Sequence, residues 1–143
     1  MGQRLGQHFL VRTTILERIA RATCPDREPF VIEIGPGKGA LTRYLVEKAD
    51  RVVAIELDSD LAVQLPSKFP TLEIVNADVL TVDLNQWGRA VVAGNLPYYI
   101  TSPILDRALA MGPNLIRAVF LVQREVADRM LTGPGSRDYG YLS

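Results

Sequence analysis

The sequence predicts an α/β fold in which a mostly parallel sheet carries helices on both faces, a doubly wound, Rossmann-like layer. Three observations predict it. Short apolar runs of strand length alternate with segments of helical periodicity along most of the chain. A glycine-rich segment, Gly35-Pro36-Gly37-Lys38-Gly39, follows the first of those runs directly. A carboxylate, Glu56, stands near the end of the second.

Taken in order, Phe30–Ile34 is apolar apart from Glu33, as a strand covered on both faces should be. Gly35–Gly39 makes the turn, and Ala40–Ala49 carries Leu41, Tyr44, Leu45 and Lys48 at helical spacing. Arg51–Leu57 is the second strand. Ser59 or Asp60 is placed to cap a helix that ends before Pro66, because proline removes a backbone donor. Leu72–Val75, Ala90–Gly94 and Ile116–Val122 are the third, fourth and fifth strands. Helices are expected over Ser102–Met111, with Pro103 near its start where a missing N–H costs nothing, and over Gln123–Leu131. The organisation expected is an amino-terminal arm and helix over 1–29, then a single core over 30–143.

With 143 residues, 48% hydrophobic and 22% charged, the chain suits one soluble globular domain and excludes a disordered or collagen-like polymer. Sixteen basic residues balance sixteen acidic ones, so no global positive field exists to hold nucleic acid. The balance is uneven: residues 1–25 set Arg4, Arg12, Arg18 and Arg21 against Glu17 alone, a local charge of +3. Any contact with a polyanion should therefore involve the amino-terminal arm. Cys24 is the only cysteine, which rules out an internal disulfide and a cysteine zinc cluster and suits a reducing cytoplasm. No apolar run approaches a membrane span. A cytoplasmic protein with no metal, no membrane contact and a monomeric state is expected.

The glycine loop and Glu56 carry the first functional signal. Alternate glycines let a backbone turn tightly and let a ligand approach without meeting a β-carbon, and a helix start offers free N–H groups. The loop is not a Walker A phosphate loop, since Lys38 is followed by Gly39. Glu56 lies nineteen residues after Gly37, close to the offset of a carboxylate that binds ribose hydroxyls. These features alone leave open a nicotinamide dinucleotide or S-adenosylmethionine. Asn95-Leu96-Pro97-Tyr98, at the end of the fourth strand, separates the two. An Asn side-chain oxygen and a main-chain carbonyl can each accept one N–H of an exocyclic base amine, aiming a poorly nucleophilic nitrogen and stabilising positive charge as it is alkylated. Tyr98 offers a face on which a base can stack.

Gly6-Gln7-His8-Phe9-Leu10, EIGPGKGALT (33–42), AIELD (54–58), NADVL (76–80), GNLPY (94–98), QREVADRM (123–130) and PGSRDYGYLS (134–143) resemble, in order, the motifs of the ribosomal-RNA adenine N6,N6-dimethyltransferases. The resemblance is closest to the small-subunit branch (KsgA type), which acts on two adjacent adenosines of that rRNA during ribosome assembly. It implies a Rossmann-like methyltransferase fold, S-adenosylmethionine as cofactor, and small-subunit rRNA in an assembling 30S-type particle as partner. It places His8 and Leu10 along the cofactor pocket, with Glu33, Gly35 and Gly37 at the methionine end. Glu56 and Leu57 fall at the ribose, Asp78 and Val79 at the adenine, and Asn95 with Leu96, Pro97 and Tyr98 at the reacting centre. Asp78 reads equally well as a turn cap on its own residues. His8 stands where many members have Asn and is taken as pocket wall rather than general base.

In that family the fold continues with antiparallel strands and a smaller helical domain. The expectation is therefore an amino-terminal fragment that methylates rRNA poorly on its own and whose fifth strand is an open edge. The alternative readings are a large-subunit rRNA adenine methyltransferase of the macrolide-resistance type, a non-catalytic rRNA or ribosome-assembly module, and an NAD(P)-dependent oxidoreductase.

Overall fold

The computed structural model describes residues 2–96 and 101–121, with side chains from Arg12 onward and excepting Thr101. Nine α-helices and β-strands follow one another among the described residues, with short 3-10 turns between some of them: α1 (Gly2–Thr23), β1 (Glu28–Ile34), α2 (Thr42–Lys48), β2 (Ala49–Glu56), α3 (Ser59–Lys68), β3 (Glu73–Asn76), β4 (Ala90–Asn95), α4 (Thr101–Leu109) and β5 (Leu115–Leu121). All four strand pairs are parallel, in the order β3-β2-β1-β4-β5. The chain winds outward from β1 to β3, then returns to build β4 and β5 on the other side. The reversal between β1 and β4 leaves a crevice at their carboxyl ends, where an open α/β sheet binds its ligands.

Both sheet faces are covered, which explains why the strands read as continuous apolar runs. Phe30, Ile32 and Ile34 of β1 share one face with Val53, Ile55, Val92 and Phe120, and Ile104, Leu105 and Ala108 of α4 pack on it. Val31, Val52, Ala54, Val91, Ala93 and Val119 face the other side, under Leu16, Ile19 and Ala20 of α1, Leu45 of α2 and Leu65 of α3. Helix α1 docks through Leu16, Ile19, Ala20 and Thr23, one stripe at helical spacing. Its end is tied down by Arg117 of β5, which donates to Thr23 O at 2.8 Å and to Glu28 Oε1 at 2.6 Å. Burial raises the Cys24 thiol to about 11, with Glu28 adding to the shift, so that cysteine is unreactive packing.

Two expectations about α3 are corrected. Its cap is Asp58, not Ser59 or Asp60: Asp58 Oδ1 accepts from the amides of Asp60 and Leu61 at 2.9 and 3.1 Å. The helix also runs through Pro66 to Lys68. Pro66 falls in its last turns and on its exposed side, so the helix loses one internal bond while the Phe69 amide still reaches Leu65 O. Helix α2 starts two residues later than periodicity suggested, because Gly39–Leu41 are still turning. The helix expected over Gln123–Leu131 lies outside the described residues.

Glu33 is the most deeply buried carboxylate among the described residues. It is fully buried on β1, with Thr42 Oγ1 of α2 donating to its Oε1 at 2.5 Å, so the pair clasps the strand end to the helix start across the glycine turn. Desolvation raises its pKa to about 7; the Thr42 bond opposes that and the charge of Glu56 adds to it. An acid raised on folding contributes its full stability below its unfolded pKa and loses it as pH rises through the folded value. Glu33 should therefore weaken the fold progressively between about pH 4.5 and 7, by roughly 3 kcal/mol in all. Glu33→Gln is expected to gain stability relative to the parent chain by about that amount between pH 5 and pH 8 in urea titrations. A constant difference between the two proteins would exclude the buried acid as the cause.

Candidate functional site

The carboxyl ends of the strands frame a cleft of about 540 Å³, a volume suited to a small-molecule cofactor. Gly35 follows β1, Glu56, Leu57 and Asp58 follow β2, and Ala77, Asp78, Val79 and Leu80 follow β3. Leu96 after β4 and Ile104 of α4 complete the lining, with Ile34 and Ile55 at the floor.

Glu56 organises one side. Its carboxylate is buried, and both oxygens accept backbone amides: Gly37 N on Oε1 at 2.8 Å and Asp58 N on Oε2 at 2.9 Å. The first bond pulls the glycine turn toward β2, and the second fixes the start of α3. Gly35 N donates to Ile55 O at 2.9 Å, adding a second tie between the same segments. Gly35 and Gly37 have φ of +66° and +60°, a region that costs other L-residues about 1–2 kcal/mol. A β-carbon at Gly35 would also stand 3.2 Å from Leu96 Cδ2, so the glycine turn and the strand end bearing Asn95 touch through that leucine. Each carboxylate oxygen of Glu56 has capacity for a second donor from the cleft.

The opposite wall is braced by a residue that sequence reasoning passed over. Asn76 Nδ2 donates to Glu56 O at 2.9 Å and to Leu57 O at 3.2 Å, and Ala77 N donates to Glu56 O at 3.1 Å, joining the ends of β2 and β3. Its position as the last residue of a short strand was the available signal. Asp78 does act as a cap, as its residues alone allowed: Leu80 N donates to its Oδ1 at 2.9 Å, starting a 3-10 turn over Val79–Thr81. It also lines the cleft. Leu57 and Leu80, 68% and 42% exposed, present apolar surface at the rim. The cleft thus offers carboxylate acceptors between apolar walls, complementary to a flat ligand that carries hydroxyl and amine donors.

Of the residues singled out by sequence, Gly35, Glu56, Leu57, Asp78, Val79 and Leu96 line one cleft. Gly37 borders it through its bond to Glu56. Glu33 does not line it and lies beneath the glycine turn on Thr42. Asn95 ends β4, opposite Leu121, and is exposed. His8 and Leu10 belong to the backbone of α1, their side chains lying outside the described ones, and Pro97 and Tyr98 lie outside the described residues altogether. Among the described residues no cluster of three or more His, Cys, Asp or Glu could hold a metal, and no helix is long and apolar enough to cross a membrane.

Comparison with known proteins places this geometry in a family. A model of the ribosomal RNA adenine dimethylase family matches residues 2–143. The ribosomal RNA small subunit methyltransferase A of Bordetella pertussis is 46% identical over 144 residues, covering 99% of this chain and 54% of that protein. Among solved structures, the 23S rRNA methyltransferase ErmE superposes with a TM-score of 0.70 at 37% identity, covering 83% of this chain and 50% of that one. A dimethyladenosine transferase from Plasmodium falciparum gives 0.72 at 30% identity, covering 88% and 47%. The chain spans about half the length of the curated relatives it matches. The fold is that of S-adenosylmethionine-dependent methyltransferases. A family model spanning nearly the whole sequence, with a parallel sheet of the matching fold, makes this chain a member of the ribosomal RNA adenine dimethylase family.

Proposed function

We propose that the protein uses S-adenosylmethionine to dimethylate the N6 amino groups of two adjacent adenosines in small-subunit rRNA, in the cytoplasm, during ribosome assembly. The observation that carries this reading is the cleft itself. Two carboxylates, Glu56 and Asp78, sit between exposed Leu57 and Leu80, bounded by the glycine turn and by Leu96 beside Asn95. This acceptor set fits the cofactor: Glu56 for the ribose hydroxyls, Asp78 for the adenine amine, and Leu57 and Val79 against the faces of the base. The glycine turn lies where the methionine arm would pass, with Glu33 and Thr42 holding that turn from below.

When bound, the cofactor would supply an electrophilic methyl group, and the alkylated amine would be acidic enough to release its proton to water, so no strong general base is needed. The work of this chain is placement. Asn95 accepts one N–H of the target amine and turns its lone pair toward the cleft, with its side-chain oxygen opposing the positive charge that develops. Leu96 keeps Asn95 in register with the donor by resting on Gly35. The exposed Arg12, Arg18 and Arg21 on α1 give the arm its basic character for rRNA. A large-subunit target is the second reading, favoured by the 37% identity to ErmE.

Parallel calorimetric titration with S-adenosylhomocysteine and NADH tests the cofactor; binding of NADH alone would overturn the reading. Glu56→Ala should weaken S-adenosylhomocysteine by about 30-fold or more, the equivalent of about 2 kcal/mol, and unchanged affinity would remove Glu56 from the site. Asn95→Ala should cut methyl transfer to unmethylated small subunits about 10²–10³-fold while leaving S-adenosylhomocysteine affinity within about threefold. Methylation of unmodified large-subunit rRNA in preference to small subunits would favour the second reading.

A further inference from the structure

We propose that Phe69, which does not line the cleft, is a positioning residue that latches the outer limb of the glycine turn against α3. This rests on the cofactor reading above and adds to it a residue from outside the family motifs.

The inner limb of the turn is held by polar bonds to β2, from Gly35 N to Ile55 O and from Gly37 N to Glu56 Oε1. The outer limb, Lys38-Gly39, has no such tie to the sheet among the described residues. It meets the far end of α3 instead. Gly39 has φ of +93°, and a β-carbon there would lie 2.4 Å from Phe69 Cε2 and 3.0 Å from Cζ, so the ring edge occupies the space a side chain would need. Lys68 Nζ donates to Lys38 O at 3.3 Å alongside. The ring is set by its own backbone, with Phe69 N on Leu65 O and Leu72 N on Phe69 O, both at 3.0 Å. Gly39 in turn closes the loop and opens the next helix: its amide bonds Pro36 O at 2.9 Å and its carbonyl accepts Arg43 N at 3.1 Å.

Helix α3 therefore touches the turn's anchorage at both ends. Its first turn begins at Asp58, whose amide is on Glu56, and its last residue is followed by the ring on Gly39. Removing the ring opens a hollow against a glycine that has no side chain to fill it, and frees the limb that must stay fixed for the methionine arm. The adenosine half of the cleft, built on Glu56, Leu57 and Asp78, keeps all its contacts.

Binding of S-adenosylhomocysteine, which has both arms, is compared with 5′-methylthioadenosine, which lacks the amino-acid arm. Phe69→Ala should weaken the first about tenfold and change the second less than about twofold, and Phe69→Leu should recover most of the loss. Amide exchange at Gly39 without ligand should quicken about tenfold in Phe69→Ala. Equal weakening of both ligands, or unchanged binding with unchanged exchange, would overturn the latch. Should Phe69→Ala fail to fold, Phe69→Val replaces it, and the same two patterns support or overturn the latch. Failure of the parent chain to bind S-adenosylhomocysteine would instead sink the cofactor reading, and the exchange of the Gly39 amide alone would then decide the latch.

Discussion

The structure depends on one carboxylate shared between two backbone amides. Glu56 leaves the end of β2 and takes the amide of Gly37 on one oxygen and that of Asp58 on the other. Charge-assisted bonds of this kind are roughly twice as strong as neutral ones. They bring the turn after β1 and the start of α3 to a single point at the carboxyl end of β2. Two walls of the cleft follow from it, the turn on one side and Leu57 with Asp58 on the next, while the β3 end is braced separately, by Asn76 and Ala77 on the Glu56 main-chain carbonyl. The carboxylate proposed for the ribose hydroxyls is thus also the group that shapes the cleft.

Much of this was legible in the sequence because it is written in local terms. Apart from Glu33, Phe30–Ile34 is apolar on alternate and intervening positions alike, as a strand covered on both faces requires, and the sheet covers it so. The glycine spacing and the offset of Glu56 are fixed by the geometry of a strand, a turn and a crossover helix, so Gly37 and Glu56 could be paired before any coordinates. Asp78 was read as a turn cap or a cofactor contact; it caps a short turn and also lines the cleft.

What sequence did not reveal depends on contacts between distant elements. Pro66 is a stop signal in isolation, yet α3 passes it because Leu65 packs into the core and Phe69 closes the turn beyond. Asp58 outcompetes Ser59 and Asp60 as cap since its own amide is already fixed on Glu56. Glu33 is expected at the cofactor by motif, and it is buried on β1 with Thr42 donating to it, a partner the sequence did not point to. Asn76 reads as an ordinary polar strand end until β2 is placed beside it.

The strand order also has a consequence for biogenesis. β1 is the central strand, with β2 on one side and β4 on the other, and the register that joins Val31 to Val91 spans sixty residues. A ribosome that elongates at about 5–20 residues per second leaves that second edge without its neighbour for roughly 3–12 seconds. During that interval the nascent half-sheet shows an unpaired backbone flanked by valine and isoleucine, the kind of surface that chaperones shield.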